Sequence, residues 1–167
     1  QYTKQVEFVQ EAFQVLERIQ ERVKEKIRKS IEENTKKHFM EFLREEGVFR
    51  DVSIDKNYQV SVVNAQGFNA LADLSAGQYL ILGYAFVVAL RTITGYNAPV
   101  IVDTPLGKLD TIHRNKITKQ LPELLGNVQL VFLVTSSEYT EDVRENFAPY
   151  MMDSAYYEIE RDPEKTS

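Results

Sequence analysis

The spacing of apolar residues over the first 46 positions is that of a long amphipathic helix. Residues 1–46 contain no glycine or proline, and their apolar side chains recur at alternating intervals of three and four. This spacing, in which Gln20 fills one position, predicts the seam of a coiled coil, and such a seam requires a partner helix. The seam residues are Val6, Val9, Phe13, Leu16, Val23 and Ile27.

The apolar pattern changes beyond residue 30, where bulkier side chains such as Phe39 and Phe42 appear. We expect the helix to meet and pack on a globular body there. Gly47 is placed to end the helix in a left-handed conformation. A short hairpin is predicted next, with strands at residues 52–54 and 58–62.

Strands and helices alternate from residue 74 onward. The predicted helices are residues 76–94, 111–125 and 138–147, and the predicted strands are residues 100–103, 128–134 and 155–159. Continuous apolar strands separated by helices predict an α/β lobe at residues 47–167, following the coiled-coil helix of residues 1–46. Its sheet should be mostly parallel, with helices on both faces. Ligands bind at the carboxyl ends of such strands, which here are Asp103 and Ser136.

The composition fits one globular domain that is neither secreted nor inserted in a membrane. At 167 residues with 43% hydrophobic residues, the chain can form a single core. The longest apolar run, residues 79–90, is shorter than the roughly 20 residues that cross a bilayer, and we interpret it as a buried helix. The sequence shows no secretion signal and has no cysteine, which excludes disulfides and thiolate sites. A cytoplasmic location is expected.

The net charge of −5 is unevenly distributed. Residues 1–50 carry a net charge of +1 and the remainder carries −6. Neither part is the basic footprint of a nucleic-acid-binding protein. The basic cluster at residues 24–29 could contact a phosphate backbone, but its interleaved glutamates favour a solvated helix face. Any DNA binding must therefore be argued from other features.

The sequence LSAGQ at residues 74–78 predicts a helix start that an anion could approach. Ser75 and Gln78 form a capping box, with Ser75 as the N-cap and Gln78 as the third helical residue. The small residues Ala76 and Gly77 leave the first-turn N–H groups uncovered at the positive end of the helix. An ordinary capped core helix has the same pattern, and the pentapeptide alone does not separate the two interpretations.

Asp103 follows the apolar residues 100–102 at the end of a predicted strand. A carboxylate in this position is a hard oxygen ligand suited to Mg²⁺, directly or through water. An isolated aspartate there is often only a turn or cap residue. The order of features favours the metal site: a helix-start serine, an apolar helix, the strand aspartate, and then Gly107 and Asp110.

Three ordered motifs resemble those of ABC-type ATPases. LSAGQ resembles their signature motif, VIVDTPLGKLD (residues 100–110) resembles their Walker B strand followed by the D-loop, and VFLVTSS (residues 131–137) lies where their switch strand is expected. With a coiled-coil helix ahead of the lobe, the chain resembles the C-terminal half of an SMC-like head. Within that group, DTPLGKLDTIHR (residues 103–114) is most similar to DndD, the ATPase of DNA phosphorothioation systems.

The resemblance implies that ATP and Mg²⁺ bind between two heads. Residues 75–78 would contact the γ-phosphate of a nucleotide held by the opposite head, and Asp103 would position Mg²⁺ in its own site. Asp110 in the D-loop would cross the dimer interface and couple the two sites. The implied partners are the N-terminal half of the same head, a second head, DNA, and sulfur-transfer or nuclease subunits.

Two positions depart from the family pattern and argue against fast hydrolysis. The usual general base, a glutamate directly after the Walker B aspartate, is replaced by Thr104, whose hydroxyl is not a base near neutral pH. The switch histidine is replaced by Ser136, which can hydrogen-bond phosphate but carries no imidazolium charge. Glu138 is the nearest acidic residue, and we interpret it as a surface glutamate at a helix start. His113 is assigned a structural or interface role.

The sequence contains no G-x-x-x-x-G-K-[ST] motif, so the loop that cradles the phosphates is expected in an N-terminal half. The chain alone is therefore not expected to bind ATP tightly. One interpretation is an ATPase head that drives DNA processing, in sulfur modification or in double-strand-break repair with a nuclease. A second is a slow ATP-dependent clamp without catalysis. A third is a plain α/β domain in which the motifs are coincidental.

Overall fold

The structure, a computed structural model, describes residues 2–43, 47–151 and 156–159. Its helices and strands, in chain order, are α1 (Tyr2–Phe42), β1 (Phe49–Ile54), β2 (Val60–Asn64), α2 (Ala76–Thr94), β3 (Val100–Asp103), α3 (Thr111–Leu125), β4 (Leu130–Leu133) and α4 (Glu141–Phe147). Short 3-10 turns occupy Leu71–Asp73 and Ala148–Tyr150. The bounds predicted for α2, β3 and α3 are confirmed.

Helix α1 has an exposed part and a buried part. The seam side chains lie in solvent, from Phe13 at 64% exposed to Ile27 at 42%. Towards the end of the helix, Phe39 and Phe42 are fully buried in the core. The change occurs past residue 30, where the bulkier side chains have a surface to pack on. Residues 44–46, predicted to continue this helix, lie outside the described part of the chain.

A cluster of charged side chains joins α1 to the β1–β2 hairpin. Arg28, which is 9% exposed, donates to the main-chain carbonyl of Ile54 and pairs with Glu25 at 2.7 Å and Glu32 at 3.2 Å. Glu32 in turn accepts the Ile54 N–H at 2.6 Å. The hydrogen bond from Arg28 lowers the pKa of the Glu25 carboxyl. The end of β1 is therefore attached to the helix through both of its main-chain polar groups.

Helix α2 is the central helix of the lobe. By length and hydropathy alone it could span a membrane, but one of its faces packs in the core, where Ile81, Ala85 and Val88 are each at most 1% exposed. The helix ends at Gly95, whose φ of 63° is the left-handed conformation that commonly closes helices. The packing agrees with the interpretation of residues 79–90 as part of a buried helix.

The described residues form two separate two-stranded sheets, and the antiparallel one is the predicted hairpin, with strands at Phe49–Ile54 and Val60–Asn64. β1 and β2 pair antiparallel, whereas β3 and β4 pair parallel with Asp103 opposite Leu133. One face of the β3–β4 sheet packs on the core, but on the other face Ile101 is 67% and Leu133 is 46% exposed. The predicted mostly parallel sheet with helices on both faces is not confirmed. The described residues supply only two of its strands and no element that covers the second face.

Two further elements differ from the sequence-based expectations. The helix predicted at residues 138–147 begins only at Glu141. The preceding residues form a turn instead, in which the Thr135 carbonyl accepts the Glu138 N–H at 3.0 Å. Of the strand predicted at residues 155–159, the first residue lies outside the described residues and the other four form no strand.

Candidate functional site

The start of α2 is open to solvent. The Gln78 N–H donates to Ser75 Oγ at 3.2 Å and the Ser75 N–H donates to Gln78 Oε1 at 2.9 Å, which completes the predicted capping box. Ser75 and Ala76 are exposed, and Gly77 is half-buried. The N–H groups of Ala76 and Gly77 donate to no group among the described residues. They are therefore accessible to an anion.

Gly77 also has a packing role that no sequence pattern indicates. A Cβ at this position would lie 2.7 Å from the main-chain oxygen of Lys108, well inside van der Waals contact. The first turn of α2 therefore approaches the backbone of residues 104–110, here called the 104–110 loop. Both line a cavity of about 190 Å³, whose lining includes Ser75 and Asp110. The residues that resemble the signature motif and the D-loop thus lie together.

The 104–110 loop leaves β3 in a conformation that is unusual for its sequence. Thr104, a β-branched residue before a proline, has a φ of 47°, a left-handed conformation in which such residues are outliers. Its N–H donates to the Leu133 carbonyl at 2.9 Å, which extends the β3–β4 ladder. The buried Tyr84 hydroxyl of α2 donates to the Pro105 carbonyl at 2.7 Å. These two bonds hold the strained turn in place.

The two strand ends singled out by the sequence lie at the same edge of the sheet. Asp103 ends β3, Ser136 follows the end of β4, and both residues are exposed. Because the strands are parallel, their carboxyl ends coincide. The described residues contain no group of three or more side chains that could hold a metal ion. The exposed carboxylate of Asp103 has the chemistry of one Mg²⁺ ligand beside phosphate oxygens and water, which is how Mg²⁺ is commonly bound.

Glu138 is not the surface glutamate that the sequence suggested. It is 2% exposed, and its carboxylate joins the 104–110 loop to residues 134–140 after β4, here called the 134–140 loop. Oε1 accepts the Leu106 N–H at 2.9 Å, and Oε2 accepts both the N–H and the hydroxyl of Thr135 at 3.0 Å. Sequence periodicity could not reveal this role, because the bond to Leu106 spans 32 positions.

Burial and hydrogen bonding act on the Glu138 carboxyl in opposite directions. Burial raises its pKa, whereas hydrogen bonds from Thr135, Leu106 and Gly107 lower it, and the net pKa lies below the ordinary value of 4.5. Burial and the charge of Glu138 together raise the pKa of Tyr84. Glu138 is therefore ionised near neutral pH with both oxygens engaged. A carboxylate in this state is not available to activate a water molecule.

Asp110 caps α3 and pairs with His113. Its Oδ1 accepts the N–H groups of Ile112 at 3.0 Å and His113 at 2.9 Å, and its Oδ2 lies 2.9 Å from His113 Nδ1. The hydrogen bond from the His113 N–H is the largest of the effects that lower the Asp110 pKa. The side chain of Asp110 is still 57% exposed. It thus has a role within its own chain, and the interface role implied by the resemblance stays a prediction.

Solved structures with the same fold are SMC head domains. A structure from work on ATP-driven dimerization and DNA-stimulated activation of SMC ATPases matches with a TM-score of 0.56 at 13% identity, over 75% of this chain and 76% of that chain. The Pyrococcus yayanosii Smc head domain with a coiled coil and joint matches with a TM-score of 0.59 at 14% identity, over 84% of this chain and 27% of that chain.

A third structure, the Pyrococcus furiosus Smc head domain bound to the C-terminal domain of ScpA, matches with a TM-score of 0.56 at 15% identity. The match covers 80% of this chain and 35% of that chain. No protein-family model and no curated protein matches the chain. At these identities the similarity shows the fold alone, and it confirms the SMC-like head fold that the motifs predicted. It does not bear on the finer resemblance to DndD.

Replacing Gly77 by alanine is expected to destabilise the lobe, whereas Gly83→Ala on the same helix should stabilise it. The new Cβ at position 77 would overlap the Lys108 carbonyl, and overpacking of this kind costs about 1–3 kcal/mol. A Cβ at position 83 meets nothing within 4 Å, so alanine there gains about 0.5–1 kcal/mol of helix propensity. Urea unfolding compares the variants. Equal free energies of unfolding would contradict the close approach of α2 to the 104–110 loop.

Glu138→Gln is expected to lower the free energy of unfolding at pH 7 by about 2 kcal/mol, because an amide leaves one loop donor unpaired. The folded-state pKa lies below 4.5. The carboxylate contribution is therefore present above about pH 4.5 and is lost as the pH falls through the folded pKa. Urea unfolding at about pH 7 and about pH 3 should show the difference from wild type shrinking in acid. The role of the Glu138 carboxylate would be contradicted if the difference in free energy of unfolding were the same at both pH values. An equal loss in the exposed control Glu145→Gln would contradict it as well.

Proposed function

We propose that this lobe is the C-terminal half of an SMC-like ATPase head that binds ATP and Mg²⁺ between two heads and acts in DNA processing. The observation that carries the proposal is the juxtaposition of three motifs in a lobe with the SMC head fold. The open helix start at Ser75 adjoins the 104–110 loop, which follows Asp103 at the end of β3. Exposed N–H groups at a helix start bind phosphate, and a carboxylate such as that of Asp103 binds Mg²⁺.

Each motif has a distinct role in this proposal. The N–H groups of Ala76 and Gly77 and the Ser75 hydroxyl contact the γ-phosphate of a nucleotide held by the second head. Asp103 holds Mg²⁺ in its own site together with phosphate oxygens and water. The ion supplies charge neutralisation on the phosphates. Asp110 lies beside the helix start and faces the second head.

The proposal requires another half of the head that carries the phosphate-binding loop. The sequence lacks that loop, and in the part of the chain that the structure describes, an apolar face of the β3–β4 sheet is uncovered, with Ile101 at 67% and Leu133 at 46% exposed. Asp103 belongs to the same face as Ile101, because side chains alternate along a strand. A partner half that covers this face would bring its phosphate-binding loop to Asp103.

Two versions of the function differ in whether ATP is hydrolysed. Thr104 and Ser136 stand where the family has a base and a histidine, and Glu138 is engaged through both of its oxygens. These residues favour a slow clamp, whereas an ATPase would take its base from the other half or from the second head. Turnover by the assembled head separates the versions, and Asp103→Asn abolishes it if hydrolysis occurs.

The DNA process served by the head is a finer proposal. Residues 103–114 support DNA sulfur modification through their resemblance to DndD, with a sulfur-transfer enzyme as the partner. The alternative is a double-strand-break-repair ATPase that gates a nuclease. A cysteine desulfurase gene or a nuclease gene beside the gene for this chain would distinguish the two.

Ser75→Asp is expected to prevent ATP-driven dimerisation of the head assembled with its phosphate-loop half, whereas Ser75→Asn should preserve it. Aspartate and asparagine both cap helices well, so the start of α2 is retained in both variants. Only aspartate places a negative charge against the γ-phosphate, which should weaken dimerisation at least about tenfold. Sedimentation velocity at saturating ATP and Mg²⁺ measures the dimer fraction.

The outcomes of this comparison are distinguishable. Wild-type heads that stay monomeric with ATP and Mg²⁺ would contradict both the ATPase and the clamp. Equal dimer fractions for Ser75→Asp and Ser75→Asn would contradict the phosphate contact alone. The chain without its other half serves as a further control, and calorimetry should detect no tight binding of ATP to it.

A further inference from the structure

The Glu138 carboxylate is shared between the loops that follow β3 and β4. Oε1 accepts the Leu106 N–H at 2.9 Å, and the nearby Gly107 N–H helps to lower the pKa of the carboxyl. Oε2 accepts the N–H and the hydroxyl of Thr135, each at 3.0 Å. The residue is only 2% exposed, so water has little access to replace a lost donor. The 104–110 loop thus donates a hydrogen bond to one oxygen of the buried carboxylate, and Thr135 of the 134–140 loop donates to the other.

The ionised state of Glu138 depends on these donors. Among the residues that the structure describes, no Lys or Arg forms an ion pair with its carboxylate. A buried carboxylate without a cationic partner is stable only while its hydrogen bonds are intact. If the two loops move apart, the carboxylate loses the Leu106 donor, whereas its bonds to Thr135 lie within the 134–140 loop and are kept. Separating the two loops therefore costs free energy, because the buried carboxylate of Glu138 loses a hydrogen-bond donor.

Short contacts on both sides extend this connection. A Cβ at Gly107 would lie 3.2 Å from Glu138 Oε1, so the 104–110 loop passes close to the carboxylate. On the other side, Thr135 Oγ1 lies 2.9 Å from Ser137 Oγ. Thr135 and Ser137, the residues immediately before and after Ser136, therefore both take part in these hydrogen bonds.

We propose that Glu138 is a positioning residue that makes the 104–110 loop and the 134–140 loop move as one unit. The consequence rests on the function proposed above, in which the first loop carries Asp110 towards the second head. The second loop carries Ser136, which lies beside the phosphates in the chain's own site. A contact of the D-loop with the second head is transmitted through Glu138 to Ser136. Dimerisation and the geometry of the switch position are thereby coupled within one lobe.

Glu138→Gln tests the proposal, because an amide has one accepting oxygen and one donating nitrogen. Its oxygen can serve one loop, but its NH₂ group then faces a donor of the other loop. The shared attachment is lost while the size of the side chain is kept. Glu145→Gln is the matched control, because it makes the same change on the exposed side of α4. The first measurement is amide hydrogen exchange of Leu106 and Thr135, by NMR on the chain itself.

In the wild type, both amides should exchange slowly, because the buried carboxylate accepts a hydrogen bond from each. In Glu138→Gln, at least one of the two amides should exchange about tenfold faster. Unchanged rates in Glu138→Gln would overturn the proposal. The same acceleration in Glu145→Gln would also overturn it, because the effect would then not depend on the shared carboxylate.

The second measurement is steady-state ATP turnover by the head assembled with its phosphate-loop half. A positioning role requires that Glu138→Gln lowers kcat about tenfold while KM changes by less than about twofold. If the head dimerises without turnover, the lifetime of the dimer replaces kcat as the readout. An unchanged kcat or lifetime would overturn the coupling. A wild-type head that neither dimerises nor turns over ATP would refute the proposed function, and the exchange rates would still decide whether the loops move together.

Discussion

The 104–110 loop is held by the rest of the lobe from three directions, and the candidate site depends on its position. The first turn of α2 approaches its backbone at Gly77, the Tyr84 hydroxyl bonds the Pro105 carbonyl, and Glu138 bonds the N–H that follows. All three contacts are made to main-chain atoms of the loop. Because of these contacts, the open helix start and the end of β3 keep a fixed relation to each other, as a binding site requires.

Three features of the lobe are incomplete, and one assembly would complete all of them. Among the described residues, the N–H groups at the helix start have no acceptors, Asp103 is an exposed carboxylate at a strand end, and no element covers one apolar face of the β3–β4 sheet. A nucleotide held by a second head supplies acceptors for the N–H groups. In the proposed assembly, Asp103 would engage the Mg²⁺ of the nucleotide in the chain's own site, and the half that carries the phosphate-binding loop would cover the sheet. The proposed function thus accounts for features that arise from different parts of the sequence.

Local patterns explain why the main elements could be predicted from the sequence. The capping box at Ser75 and the left-handed Gly95 delimit α2, and a continuous apolar stretch ending in Asp103 delimits β3. The predicted extent of the sheet is not confirmed, because an apolar strand does not reveal what covers its second face. The roles of Gly77 and Glu138 escaped prediction because both depend on backbone that approaches from distant parts of the chain.

The most direct test of the account is ATP turnover by a mixture of two assembled heads, one carrying Ser75→Asp and the other Asp103→Asn. Each variant alone should be inactive, because every site lacks either the phosphate contact or the metal ligand. In a mixed dimer, one of the two sites combines the intact Asp103 of one head with the intact Ser75 of the other. An equimolar mixture should therefore recover about a quarter of wild-type turnover. If wild-type heads turn over ATP, a mixture as inactive as either variant alone would contradict the claim that Ser75 serves the nucleotide of the opposite head.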